Sequence, residues 1–367
     1  MSPRHDAAAG RDRLSALPDD LLHLILRRLD AWQTVRDLSL LSRRWRRLWA
    51  SSPFVTLTRS SHLERFGSNL LLRRDPSAPL RLRCSHEFRL PDCLFTCATL
   101  EEINLSASSS WKTISPKSVC LPRLKKLHLK EMLIDPSAVE KLNSGWPALE
   151  DLNLHRCWLG SFEVSSETLR TLSITDCTYT EIRVSAPNTA SLKLTVSGKV
   201  NLSAMPSLVS VWISGHLAPC ASDLVAALCN AQCLELFRFD LILQDVMQKS
   251  AATEGLSFSH LESLYVGECL VTDFYNTLAF FIQRAPNLAA LALDQWKLYQ
   301  RFNGSLPSHM SGEKKPTIDG NLELLSALPK NIEKLWIRLS KGDDVEEFRK
   351  MQSLLKEKTK PREMEVV

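Results

Sequence analysis

The stretch Leu149-Glu150-Asp151-Leu152-Asn153-Leu154 decides the fold, because it returns 20 residues later as Leu169-Arg170-Thr171-Leu172-Ser173-Ile174. Each reads leucine, two variable residues, leucine, one variable residue, then leucine or isoleucine. Upstream the pattern stands at Leu124-Lys125-Lys126-Leu127-His128-Leu129, and weaker copies begin at Leu100, Thr189, Leu208, Leu234, Leu261, Leu288 and Ile332. Most starts lie 19 to 27 residues apart, the period of a leucine-rich repeat.

Alternation makes each triplet a short strand, with the pattern leucines on one face and the residues between them on the other. Stacking many such units buries a continuous core and exposes a long, shallow surface, which suits binding a protein better than enclosing a small substrate. Three copies carry a cysteine at the next pattern position: Cys157, Cys177 and Cys269. Turned inward at the bend, these thiols read as packing rather than as metal ligands. Helices are expected to return the chain between strands, with candidates at 136–143, 221–230, 273–285 and 321–328. A last amphipathic helix is expected over 343–358, opened by Asp343 with Glu346 at capping-box spacing. The interval from 288 to 332 exceeds one repeat, and its excess, 299–320, is rich in Gly, Ser, Pro and Lys, as an exposed insertion would be.

The outward strand positions include Lys126, His128, Lys130, Asp151, Asn153, His155, Thr171, Ser173, Lys193, Trp212, Arg238, Tyr265, Trp336 and Arg338. Most are polar, as a solvated face requires. Trp212, Tyr265 and Trp336 are not. Two readings stand side by side for them: contact points for a partner, since Trp, Tyr and Arg are enriched in binding hot spots, or rings covered by a loop or by the C-terminal helix. On the first reading His128, Asn153, Trp212, Arg238, Tyr265 and Trp336 form the candidate contact set.

Residues 13–49 differ from all that follows. Pro18 sits where a helix can start, Asp19 and Asp20 occupy its first turn, and Arg27 and Arg28 its last. Leu17, Leu21, Leu22, Ile25, Leu26 and Leu29 recur at three- and four-residue steps. A second short helix carries Val35, Leu38 and Leu41, and a third Trp45, Leu48 and Trp49 among Arg43, Arg44, Arg46 and Arg47, until Pro53 stops it. A unit this small cannot bury all these apolar groups internally. Some of Leu17, Ile25, Leu41, Trp45 and Trp49 are therefore expected to meet another surface.

The order Leu17-Pro18-Asp19-Asp20-Leu21-Leu22, Ile25-Leu26, Leu29, Val35 and then Leu41-Ser42-Arg43-Arg44-Trp45-Arg46, Leu48-Trp49 resembles the F-box motif, and its Trp-containing close resembles the version common in plant F-box/leucine-rich-repeat proteins. It departs from that subfamily at Asp30-Ala31-Trp32-Gln33. The resemblance implies an α/β chain: a small three-helix F-box, then a leucine-rich-repeat solenoid, or horseshoe, with a C-terminal helix. The divisions expected are a disordered tail over 1–10, the F-box over 11–52, a linker and capping repeat over 53–98, repeats over 99–342, and the C-terminal helix and tail over 343–367.

In that family the F-box docks onto a Skp-type adaptor and, through it, a cullin–RING ubiquitin ligase of the SCF type. The resemblance assigns adaptor binding to Leu17, Pro18, Leu21, Ile25, Leu26, Leu29, Val35, Leu41, Trp45 and Leu48. The repeat face would bind a target protein for ubiquitination, with no covalent step on this chain. The alternatives are a repeat scaffold engaging no ligase and a small-molecule-sensing receptor with a pocket near Trp212, Tyr265 or Trp336.

Composition narrows the rest. The chain has 367 residues and a formal net charge of +5, too small an excess to imply nucleic acid. Arginine is concentrated early: residues 1–80 hold 14 Arg, no Lys and 8 acids. The Arg43–Arg47 cluster reads as a solvated basic helix face. None of the 10 cysteines forms a C-x-x-C pair, which argues against zinc modules. Neither a phosphate-binding glycine loop nor a metalloprotease or hydrolase motif is present. No cofactor, metal or catalytic residue is expected. With no secretory h-region and no apolar run of about 20 residues, the chain is expected to work inside the cell, in nucleus or cytoplasm, away from membranes.

Overall fold

The computed structural model describes residues 16–37, 42–57, 73–75, 77–85, 92–107, 112–215, 222–238, 255–267, 280–296, 332–339, 353 and 363–366. The chain divides into two compact units, one of Met1–Met132 with Ser144–Leu149, the other of Leu133–Asn143 with Glu150–Val367.

The first unit opens with helices α1 (Asp19–Leu26), α2 (Ala31–Asp37) and α3 (Arg43–Ser51). Pro18 immediately precedes α1, and its carbonyl accepts from the Leu21 and Leu22 N–H groups. Ser42 caps α3 by accepting from the Trp45 N–H, satisfying one of the donors a helix start leaves orphaned. Strands β1 (Phe54–Leu57), β2 (Leu80–Ser85), β3 (Leu100–Ser106) and β5 (Lys126–Lys130) pair in parallel in that order. A short strand, β4 (Lys112–Ile114), follows β3 in sequence.

The second unit holds the parallel strands β7 (Asp151–His155), β9 (Thr171–Thr175), β11 (Ser191–Val196), β13 (Ser210–Gly215), β14 (Cys233–Phe237), β15 (Ser263–Gly267), β16 (Ala290–Trp296), β17 (Lys334–Leu339) and β18 (Glu363–Val366), each hydrogen-bonded to the next. Nine of the ten triplets read from the sequence are strands in the expected register; the copy placed at Leu234 is displaced by three, because β14 buries Leu234 and Leu236 and its repeat begins at the buried Ala231. Their pattern residues Leu152, Leu154, Leu172, Ile174, Leu192 and Leu194 are buried. Thr189, where the leucine is missing, is fully buried too, and its hydroxyl donates to the Leu169 carbonyl.

In five of the repeats a proline-marked turn precedes the strand. The N–H groups of Leu124, Leu149, Thr189, Leu208 and Leu288 donate three residues back to the carbonyls of Leu121, Trp146, Ala186, Met205 and Ala285. Each acceptor residue is buried and is followed by a proline: Pro122, Pro147, Pro187, Pro206 and Pro286. Proline fixes φ near the value this turn position requires.

The return segments differ from expectation in the middle of the chain. Helices α4 (Pro136–Gly145) and α5 (Ser222–Ala227) stand where two were expected. Between β7 and β13, however, strands return the chain instead. They are β8 (Trp158–Ser165), β10 (Thr178–Ser185) and β12 (Lys199–Leu202), a second parallel sheet, with β6 (Met132–Ile134) joining β8 at Leu133 opposite Trp158. The cause is repeat length. Starts at 149, 169, 189 and 208 leave 19 or 20 residues per repeat, too few for a strand, a helix and two turns. Alternation in β8 and β10 buries Leu159, Phe162, Val164, Tyr179, Ile182 and Val184. Of the helix expected over 273–285, only residues 280–285 are described, and 280–284 are helical. The helix expected over 321–328 and the insertion over 299–320 lie outside the described residues, as does all but Ser353 of the last helix. Beyond it, Glu363–Val366, read from the sequence as tail, forms β18 against β17.

The inward cysteines serve the bends. Cys177 Sγ accepts from the Cys157 N–H at 3.3 Å, and its thiol donates toward the Leu154 carbonyl. The hydrogen bond with Cys157, and then burial, push the Cys177 thiol far up from its ordinary pKa, so it is an inert packing group. Cys269 lies outside the described residues.

Candidate functional site

Two surfaces offer contacts. The first is helical. Leu22, Leu26, Trp45 and Leu48 close a core between α1 and α3, with Leu17 and Ile25 packed against it. Arg44 ties the two helices by ion-pairing with Asp19 and donating to the Leu17 carbonyl at 2.7 Å. The Arg27 guanidinium stacks 4.6 Å from the centre of the Phe54 ring, with Arg81 at 5.3 Å. With the core closed, the opposite side of α1 remains apolar. Leu21 is 45% and Leu24 53% exposed, and Pro18 is exposed beside them. The two leucines stand three residues apart on one helix face, and among the described residues nothing covers them.

The second surface is the outward face of the parallel strands. In the first unit, register aligns Thr56, Arg83, Asn104 and His128. In the second unit it aligns Asn153, Ser173, Lys193, Trp212, Glu235, Tyr265, Ala292, Trp336 and Glu365. Phe237, two residues beyond Glu235, packs between its neighbours, with ring centres 5.5 Å from Trp212 and 5.1 Å from Tyr265. Lys334 Nζ lies 6.0 Å from the centre of the Trp336 ring.

Comparison with known proteins gives these surfaces a context. The F-box domain family matches residues 14–57, and the family described as FBD-associated F-box protein At5g56370, LRR repeats, matches residues 78–214. The chain joins an F-box to leucine-rich repeats of the plant F-box type. It is similar to the F-box/FBD/LRR-repeat protein At5g56420 of Arabidopsis thaliana, 32% identical over 217 residues, covering 45% of this chain and 49% of that one. It is 26% identical over 365 residues to the meiotic F-box protein MOF of Oryza sativa subsp. japonica, covering 83% and 75%. It is 29% identical over 244 residues to the F-box/FBD/LRR-repeat protein At1g78750 of Arabidopsis thaliana, covering 57% and 50%. The chain thus spans about half the length of these Arabidopsis relatives and three quarters of the rice one.

Within the F-box, the residues that the sequence resemblance assigned to the adaptor fall into three groups. Leu26, Trp45 and Leu48 are only 4%, 3% and 4% exposed. They hold α1 against α3 in the core they share with Leu22, and Leu26 also lines the crevice described next. Leu17, Ile25, Leu29 and Val35 are half-buried, the last two lining an apolar crevice with Ala31, Trp49 and Phe54. Pro18 and Leu21 are open to solvent, and Leu41 lies outside the described residues. Leu24, absent from the sequence-derived set, is the most exposed of these leucines. Its place three after Leu21 and seven after Leu17 was the available signal.

On the repeat face, His128, Asn153, Trp212, Tyr265 and Trp336 are half-buried on strands. Arg238 is not a strand residue. It follows β14 in a turn with φ 51°, and Phe237 takes the outward place. Strict alternation from Leu234 and Leu236 puts Phe237 outward. His155 Nδ1 pairs with Thr175 Oγ1 at 3.0 Å. Among the described residues, no three His, Cys, Asp or Glu side chains are grouped so as to hold a metal ion, and no helix is long and apolar enough to cross a membrane.

Proposed function

We propose that this chain is the substrate-recognition subunit of an SCF-type cullin–RING ubiquitin ligase. F-box domains generally bind Skp-type adaptors. The observation that carries the reading here is the open apolar row Pro18, Leu21 and Leu24 within the stretch that matches that domain. A folded helix that leaves two leucines in water over an already closed core is explained by a partner that covers them. In this reading residues 11–52 form a three-helix adaptor module, 53–98 lead into the array, and the repeats over 99–342 stack as a solenoid, with 343–367 closing the chain. The repeat face holds a target protein, raising its effective concentration near the ubiquitin-loading machinery. The chain performs no covalent step, and works inside the cell, in nucleus or cytoplasm, without nucleic acid or membrane.

The test is a titration of the full chain with a plant Skp-type adaptor, wild type beside the double variant Leu21→Asp/Leu24→Asp. Both leucines are exposed, so the variant is expected to keep its melting temperature while affinity falls by about a hundredfold or more, as loss of a buried hot spot does. A folded wild type that does not bind the adaptor removes the ligase reading and leaves a repeat scaffold.

A further inference from the structure

The outward row of the second unit has a chemical polarity of its own. Register sets Glu235 between Trp212 on one neighbouring strand and Tyr265 on the other. Neighbouring strands lie about 4.8 Å apart, so the two aromatic residues stand about 9.6 Å from each other across the glutamate. Phe237 is on the same strand and the same face as Glu235, and its ring touches both aromatic neighbours, with centres at 5.5 and 5.1 Å. The glutamate therefore has an aromatic residue on three sides.

Two further observations make this a built arrangement. Gly267 pairs with Phe237 in register, and a Cβ there would lie 2.9 Å from the Tyr265 ring and 3.0 Å from the Phe237 ring. The absence of a side chain at that position is what lets the rings approach. Glu235 itself is exposed, and among the described residues its carboxylate has no hydrogen-bond or ion-pair partner.

A carboxylate with no partner among the described residues, flanked by aromatic side chains, is the chemistry that holds a cation, because charge attraction and ring quadrupoles act together. We propose that Trp212, Glu235, Phe237 and Tyr265 form a pocket for one lysine or arginine side chain of the bound polypeptide. The proposal rests on the reading of this face as the target surface and gives it a specificity. Lys193 is aligned with Trp212 on its far side and is exposed, and exposed Arg238 follows Phe237 in the turn. The Lys193 ammonium repels a second cation within the screening length of about 8–10 Å. The pocket thus selects a single basic residue flanked by neutral or acidic ones, and rejects a polybasic run.

The experiment measures binding of the full chain to fluorescein-labelled heptapeptides Gly-Ser-Gly-X-Gly-Ser-Gly, with X as Arg, Lys, Gln or Glu, at low salt. The Arg and Lys peptides are expected to bind about tenfold more tightly than the Gln peptide, and the Glu peptide more weakly still. Glu235→Gln should erase that preference and Glu235→Lys should reverse it toward the Glu peptide, all at an unchanged melting temperature. No charge preference in the wild type, or a preference that survives Glu235→Gln, overturns the proposal. A photo-crosslinking residue at Asn153, on the same face but five strands from Tyr265, tests the broader reading separately in cells. Crosslinking of a polypeptide without charge selectivity in the peptide assay leaves the face and overturns the pocket. Charge-selective peptide binding without crosslinking keeps the pocket and overturns Asn153 as part of the target surface.

Discussion

The helices over residues 19–51 and the strands over 149–215 use the same amino acid in opposite ways. The strands spend every pattern leucine on the interior: Leu152, Leu154, Leu172, Ile174, Leu192 and Leu194 are all but sealed. The helices carry leucines around more of their circumference, closing a core with Leu22, Leu26 and Leu48 while leaving Leu21 and Leu24 in water. The difference follows from geometry. A strand has two faces and a neighbour on each side, so a stacked repeat buries one face completely. A short helix in a three-helix unit has too few neighbours to cover a wide apolar stripe. Binding by the helical region is thus written in leftover leucine, whereas binding by the strands is written in residues the core does not use, which are free to be charged or aromatic.

The largest effect that breaks this comparison is the cost of a single methyl-rich side chain. Leu154→Ala is expected to destabilise the chain by about 2–5 kcal/mol, because the side chain is fully enclosed and the cavity cannot collapse. Leu24→Ala, at 53% exposure, is expected to change stability by less than about 0.5 kcal/mol. Urea unfolding of the two variants beside wild type decides it. Equal losses would mean that Leu24 packs as core and that the helical row is no partner surface.

What could be read from sequence divides along the same line. Nine of the ten repeat strands were legible because their leucines answer to one rule, alternation, and their buried face is fixed by it; at β14 an alanine, Ala231, opens the repeat, so the leucine signal falls three residues late. The second sheet was not legible, since β8, β10 and β12 look like polar linkers until the repeat length is seen to exclude a helix; the buried Phe162, Ile182 and Val200 alternate with Ser, Glu, Arg, Lys and Asn. The turn preceding five of the strands had a usable mark in Pro122, Pro147, Pro187, Pro206 and Pro286. In the helical region the apolar set was visible but its division was not. Which of Leu17, Leu21, Leu22, Leu24 and Leu26 faces α3 depends on the angle at which α3 packs, which no local pattern fixes. On the repeat face, Trp212 and Tyr265 were legible as outward aromatics, whereas Phe237 was passed over for Arg238, which sits in the turn just past the strand.

A middle-sized effect sharpens the account of the two-sheet region. Tyr179 is buried on β10, donates to the Thr195 carbonyl at 3.0 Å and accepts from the Ser197 N–H at 3.2 Å. Gly198 lies under it so closely that a Cβ would stand 2.4 Å from the Tyr179 carbonyl oxygen. Tyr179→Phe is expected to cost about 1–3 kcal/mol, the penalty for stranding buried partners. Burial pushes the Tyr179 pKa up from 10.0 to about 12. The unfolded chain therefore ionises first, and the stability contributed by the neutral phenol is complete below pH 10 and is lost as pH rises through about 12. Chemical denaturation between those values should show a shallower decline for Tyr179→Phe than for wild type. Parallel slopes would mean that the phenol is not held in a sealed site.

The smallest effect concerns the bends, and it separates the two regions by backbone rather than by side chain. Glu131, Arg156, Asp176 and Arg238 have φ of 58°, 51°, 53° and 51°, and each stands one or two positions past the end of a repeat triplet's strand-forming residues. All four are in repeats, and among the described residues none is in the helical region. Left-handed backbone costs an L-residue about 1–2 kcal/mol, less for Asp, and a glycine nothing. Glycine offsets part of that by the freedom it loses on folding, about 0.5–1 kcal/mol. Asp176→Gly also removes a contact with His155 at 3.9 Å between two exposed groups, worth little at a solvated surface. The sum is a gain of a few tenths of a kcal/mol, up to about 0.5, read as a small rise in the urea midpoint at constant slope. A loss of stability greater than about 0.5 kcal/mol would mean that the aspartate side chain, and not the bend itself, is what the repeat selects at this position.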